Sequence, residues 1–111
     1  MITTEKQGAV TVLTPEMPLV NENAEQLGAA LEDRLHGGLP MIVLDLSAVP
    51  LIDSLGLTAV LDARDAIRER GGLIKLAGPT PLVSDALLAT GVGEHFEVFN
   101  NAKLAVGSFA R

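Results

Sequence analysis

Ser54 is the residue in this chain best placed to do chemistry. It follows Asp53 directly and stands two places before Gly56, where the apolar run Met41–Leu46 gives way to an amphipathic pattern reaching Arg70. A serine at a helix start lies beside backbone N–H groups with no partner inside the helix, at the positive end of the helix dipole. Such a position favours negative charge, so its hydroxyl can accept and hold a phosphoryl group. It can equally do no more than cap the helix, as serine and aspartate commonly do. A reciprocal capping box needs Glu or Gln three places after the cap, but Leu57 follows Ser54 and Gly56 follows Asp53 at that spacing. Asp53 can therefore cap alone and leave the Ser54 hydroxyl available. Gly56, having no side chain, is expected to let another molecule come close to the helix start.

Beyond Ser54 the residues separate by face. Spacings of three and four put Leu57, Val60, Ala63 and Ile67 on one side, and Ser54, Thr58, Asp62, Asp65 and Glu69 on another. Leu55 and Leu61 flank the second stripe. An acidic stripe with apolar flanks, headed by a serine, resembles a protein-docking surface, although a solvated helix face has the same composition. The candidate docking set is Asp53, Ser54, Leu55, Gly56, Thr58, Leu61, Asp62 and Asp65.

Catalysis finds no support in the same residues. A serine nucleophile needs a base, and an α/β-hydrolase presents Gly-x-Ser-x-Gly; Ile52–Gly56 lacks the first glycine. The two histidines, His36 and His95, fall at a helix end and in a late loop. No phosphate-cradling glycine loop is present, and Asp45, Asp53 and Asp62 do not have a metal-binding spacing. Neither a cofactor nor a metal is expected, and the chain is read as a non-enzyme.

Composition narrows the partners. The 111 residues fit one domain, 1–111, and a hydrophobic content of 48% can build a core. A net charge of −6 with only three aromatic residues argues against nucleic-acid binding, which calls for a basic face and stacking rings. The acidity suits a basic protein partner as well as plain solubility. No apolar run approaches a membrane span of roughly 20 residues, so direct membrane insertion is not expected. The N-terminus has no signal-peptide pattern. Zero cysteines exclude disulfides. The expected address is cytoplasmic.

The elements that must position Ser54 alternate in period, as in an α/β domain. Ile2–Glu5 and Val10–Leu13 read as a hairpin across Lys6–Gly8, followed by an irregular stretch between Pro15 and Pro18. Asn23 can cap a helix with Ala24, Leu27, Leu31 and Leu35 on one face, ended by Gly37 and Gly38. Met41–Leu46 reads as a strand buried on both faces, Ser54–Arg70 as the second helix and Leu73–Ala77 as another central strand. Pro79–Pro81 opens a third helix with Leu82, Val83, Ala86 and Leu87 inward, closed by Gly91 or Gly93. Phe96–Phe99 is a short strand, and Asn100 or Asn101 caps a last helix through Val106.

Val43–Ser47, Ile52–Leu57, Arg70–Gly72 and the strand Leu73–Ala77, in that order, resemble the STAS domain, and within it the free-standing bacterial anti-sigma factor antagonists. Val83–Val92 and His95–Phe99 are similar to the family's C-terminal half, so the resemblance covers residues 9–106. It implies a mixed, mostly parallel sheet of four to five strands with about four helices. It also implies a phosphoprotein switch at Ser54, phosphorylated by an anti-sigma factor serine kinase and reset by a PP2C-type phosphatase. The unphosphorylated form would bind the anti-sigma factor and free a sigma factor for transcription. By the same resemblance Thr58 is a second phosphorylation candidate. The chain could alternatively serve as a scaffold subunit of a stress-signalling STAS assembly or homo-oligomer, or as an accessory STAS subunit of a membrane transporter. One segment departs from the family: Thr14–Asn21 replaces an acidic Gly-Glu-Leu-Asp-like stretch, with Glu16 and Glu22 as the nearest substitutes.

Overall fold

A computed structural model describes residues 1–110. The chain runs β1 (Ile2–Gln7), β2 (Val10–Pro15), α1 (Glu22–Glu32), β3 (Met41–Asp45), α2 (Ser54–Glu69), β4 (Leu73–Ala77), α3 (Pro81–Thr90), β5 (Val98–Phe99) and α4 (Ala102–Ser108). Short 3-10 turns at Asp33–Leu35 and Val92–His95 follow α1 and α3. The five strands lie in one sheet in chain order. β1 and β2 form the antiparallel hairpin, paired from Ile2 with Pro15 to Gln7 with Val10. The other neighbours are parallel, which requires the helical crossovers α1, α2 and α3. The expected class, a mixed and mostly parallel sheet with four helices, is the observed one.

Alternation along the strands sorts the core into two layers. Leu13, Ile42, Leu44, Ile74 and Leu76 join Leu27 and Leu31 of α1, Leu57, Val60 and Ile67 of α2, and Val83 and Leu87 of α3. The intervening residues Val10, Val12, Val43 and Ala77 face the other way, onto Ala105 of α4. Burying one such Leu or Val side chain contributes about 1.5–3 kcal/mol, so the thicker first layer dominates stability. α2 is held by it along the predicted inward face, which leaves the opposite face free.

Several local expectations are corrected. β1 reaches Gln7, because its ladder with β2 continues to Val10 and leaves only Gly8 and Ala9 for the turn. α1 is capped by Asn21, while Asn23 lies in its first turn with Nδ2 donating to the Pro18 carbonyl at 2.8 Å. Leu35 falls in the 3-10 turn beyond the helix. Leu82 is 61% exposed rather than inward, since Val83 and Leu87 take the buried positions of α3. Gly91, with φ +78°, is the left-handed residue that closes α3. β5 is confined to two residues, with Phe96 packed on the core before it. Asn101, not Asn100, caps α4 by accepting from the Leu104 amide at 2.9 Å.

Candidate functional site

The start of α2 is assembled from two distant stretches. The loop after β2 runs beside the loop after β3: the Leu19 amide donates to the Leu51 carbonyl at 3.0 Å, and the Asp53 amide donates to the Leu19 carbonyl at 3.2 Å. Asp53 is the helix cap. Its Oδ1 accepts from the Gly56 amide at 2.9 Å, and its Oδ2 accepts from the Asn21 amide at 3.3 Å. One carboxylate thus ties the start of α2 to the start of α1, and Asn21 holds a positive φ of 50° at that junction.

With the carboxylate capping, Ser54 occupies the first helical position and is exposed. No hydrogen bond within the described residues engages its hydroxyl. Thr58, Asp62 and Asp65 are exposed on the same side, and Leu55 is 54% exposed beside Ser54. Leu61 is half-buried against the core, so only part of it faces outward. Asp65 pairs with Arg64 at 3.4 Å with 71% of its side chain exposed, an arrangement of little energetic weight.

Gly56 corrects the sequence reading. It is buried, and the group that approaches it is the chain's own Leu19: a Cβ at Gly56 would collide with the Leu19 carbonyl oxygen and stand 2.7 Å from Cγ1 of Ile52. The glycine admits the loop after β2. The Thr14–Asn21 departure also acquires a geometry. Glu16 accepts from the Thr3 hydroxyl at 2.7 Å and so belongs to the β1 edge. Glu22, by contrast, follows the residue bonded to Asp53 and opens α1 next to the site. Of the two substitutes, Glu22 is the one beside the start of α2.

The histidines lie elsewhere. The His95 carbonyl accepts from Arg64 Nε at 2.8 Å, and Arg64 sits ten residues along α2, about 15 Å from Ser54 down the helix axis. His36 lines a polar pocket with Lys6 and Arg34 at the N-terminal end of β3, whereas α2 starts beyond its C-terminal end. Among the described residues no group of three or more acidic or histidine side chains could hold a metal ion, and no helix is long and apolar enough to cross a membrane. What the arrangement can do is accept a phosphoryl group on an exposed hydroxyl without disturbing a structural bond.

Two features carried no signal in the periodicity. Lys75 is buried on the α4 side of β4, where its ammonium donates to Ser108 Oγ at 2.8 Å and lies 4.3 Å from the centre of the Phe109 ring. It also stands 3.4 Å from Glu97. A lysine inside an apolar strand reads as an exposed residue until the C-terminal helix that covers it is in place. The second feature is Glu22 and Glu25, which face Asp62 across a groove between α1 and α2 of about 650 Å³. Their spacing of three is visible in sequence, but their partner helix is not.

Fold and site together define a small α/β domain that presents an exposed serine at a helix start. The chain belongs to the STAS family, whose domain model matches residues 1–105. It is similar to a protein of Thermotoga maritima assigned as an anti-sigma factor antagonist, at 25% identity over 99% of this chain and 95% of that one, with a TM-score of 0.90. The unphosphorylated form of the anti-sigma factor antagonist SpoIIAA, a Bacillus protein, matches at 19% identity over 99% and 96% of the two chains, TM-score 0.84. A murine anion transporter of the solute carrier 26 family matches at 22% identity over 92% of this chain and 18% of that one, TM-score 0.79. No curated protein sequence matches.

Proposed function

We propose that this chain is an anti-sigma factor antagonist switched by phosphorylation of Ser54. The observation that carries the reading is the division of labour at the α2 start: Asp53 makes the capping bond and Ser54 stays exposed. A phosphate there adds about −1.5 to −2 charge and lies at the positive end of the helix. The domain stays folded while its docking face gains negative charge and bulk. The likeness at 25% identity to a protein assigned as an anti-sigma factor antagonist supports the same reading, whereas the transporter likeness at 22% speaks for the fold alone.

The switch works through local charge. An anti-sigma factor kinase that docks Ser54 must bring it against its own nucleotide phosphates. Once Ser54 carries a phosphate beside Asp53, the two surfaces repel. A like-charge clash costs several kcal/mol, and about 2.7 kcal/mol already weakens a complex about hundredfold. The domain itself is a binding protein and not a catalyst; the phosphoryl chemistry belongs to the kinase and to a PP2C-type phosphatase. It is expected to act in the cytoplasm of a bacterial cell.

Peptide mapping of protein recovered from its native cell tests the modification: phosphate on Ser54 supports the switch, and phosphate confined to Thr58 favours the stress-assembly reading. Binding measurements on the kinase isolated with the protein test the consequence. Ser54→Asp is expected to bind about hundredfold more weakly than Ser54→Ala. Equal binding by the two variants would sink the proposal.

A further inference from the structure

The groove between α1 and α2 begins at the Ser54 end of the molecule and has an uneven chemistry. Its floor is small and apolar, formed by Gly28 and Leu31 of α1 and by Ala59 and Ala66 of α2. Its rim is acidic: Glu22, Glu25 and Glu32 line one side and Asp62 the other, and among the described residues no cation lines it. Leu55, exposed, stands at its mouth. Gly28 has no internal justification, because a Cβ added there meets nothing within 4 Å. A glycine inside a helix weakens it relative to alanine, and what this one leaves is room above the groove floor.

We infer that this groove docks a basic amphipathic helix of a partner protein. The apolar side of such a helix fits the floor, and lysine or arginine at its flanks meets the four carboxylates of the rim, the helix-in-groove mode of recognition. From Leu55 to Ala66 the floor spans eleven helical steps, about 17 Å, enough for about three turns. Charge selects against the other occupants. A fatty acid would bring a carboxylate among four others. A second copy of this chain, at net charge −6, would set like charge against like. The inference rests on the reading of the Ser54 end as a docking face, since Leu55, Thr58 and Asp62 belong to both; it adds the chemical class of the partner and where it lies.

The test uses the full chain and a synthetic peptide of about four helical turns, with leucines at i, i+3, i+4 and i+7 and lysine or arginine on the flanks. Its control carries glutamate in place of every basic residue. The basic peptide is expected to bind, more weakly as salt rises, and to shift the backbone NMR signals of Gly28, Leu55, Ala59 and Ala66. Gly28→Arg, which finds open space, is expected to weaken binding at least about tenfold with the melting temperature unchanged or raised, and Glu25→Lys with Asp62→Lys to weaken it similarly by cancelling the net charge of the rim.

Equal binding of the acidic control, shifts outside the groove, or wild-type affinity in both variants would each overturn the inference. So would a dimer by sedimentation that protects the groove, or uptake of a neutral lipid-like dye without peptide binding. Ser54 does not line the groove, so Ser54→Asp is expected to leave peptide affinity unchanged or higher. Failure of the groove is thus read with the peptide, and failure of the phosphorylation switch with the kinase.

Discussion

The starts of α2 and α3 are built from similar parts, and they differ in which part does the capping. At α3 the hydroxyl residue is the cap itself: Thr80 Oγ1 accepts from the Val83 amide at 3.4 Å and donates to the Val49 carbonyl at 3.1 Å. At α2 a carboxylate caps, and the serine that follows it is unoccupied. A phosphate on Thr80 would break two bonds that hold α3 to the loop after β3. A phosphate on Ser54 would break none. A hydroxyl can serve as a switch only where another group has already satisfied the helix end, and Asp53 does that for α2.

The strongest way to break this comparison is to disturb the α2 start without touching its chemistry. Gly56→Ala places a methyl group against the Leu19 carbonyl, backbone against backbone, so neither side yields easily. Thermal unfolding is expected to show a loss of about 2–3 kcal/mol, or roughly 10 °C in Tm. A change within 0.5 kcal/mol, on the scale of a neutral surface substitution, would mean that the loop after β2 is not seated as described. Next in size is Thr80→Val, which removes the α3 cap and leaves the Val49 carbonyl without its donor. Chemical denaturation should register about 1–2 kcal/mol. Smallest is Ser54→Ala, expected to stay within about 0.5 kcal/mol of the parent because no bond is lost. If Ser54→Ala and Thr80→Val destabilise equally, the two hydroxyls do the same work and the contrast fails.

The same division separates what was legible in the sequence. The inward face Leu57, Val60, Ala63 and Ile67 was readable, because a helix repeats at short range and its apolar stripe must be buried. Asp53 as cap, and Ser54 as the free residue after it, were readable for a similar reason: capping involves residues within three of one another. Asn21 as the cap of α1 was not. It makes no side-chain capping bond, and its amide instead meets Asp53, 32 residues away. Leu82 was placed inward because apolar side chains usually are, but the core had already been closed by its neighbour Val83. Lys75 is the opposite case, since a charged residue inside a strand carries no hint of the ring and hydroxyl that cover it.

By itself, then, the sequence determined the α/β alternation, the run of elements, the exposed serine and the residue that frees it. All of these follow from interactions between residues a few positions apart, whose geometry the helix and strand periods dictate. Tertiary structure alone decided that the group packed against Gly56 is the chain's own Leu19. It also set Glu22 and Glu25 opposite Asp62 across a common groove. Those contacts join segments carried together by the parallel crossovers around β3, and no local periodicity encodes which side chains meet once two helices have been laid on the same face of a sheet.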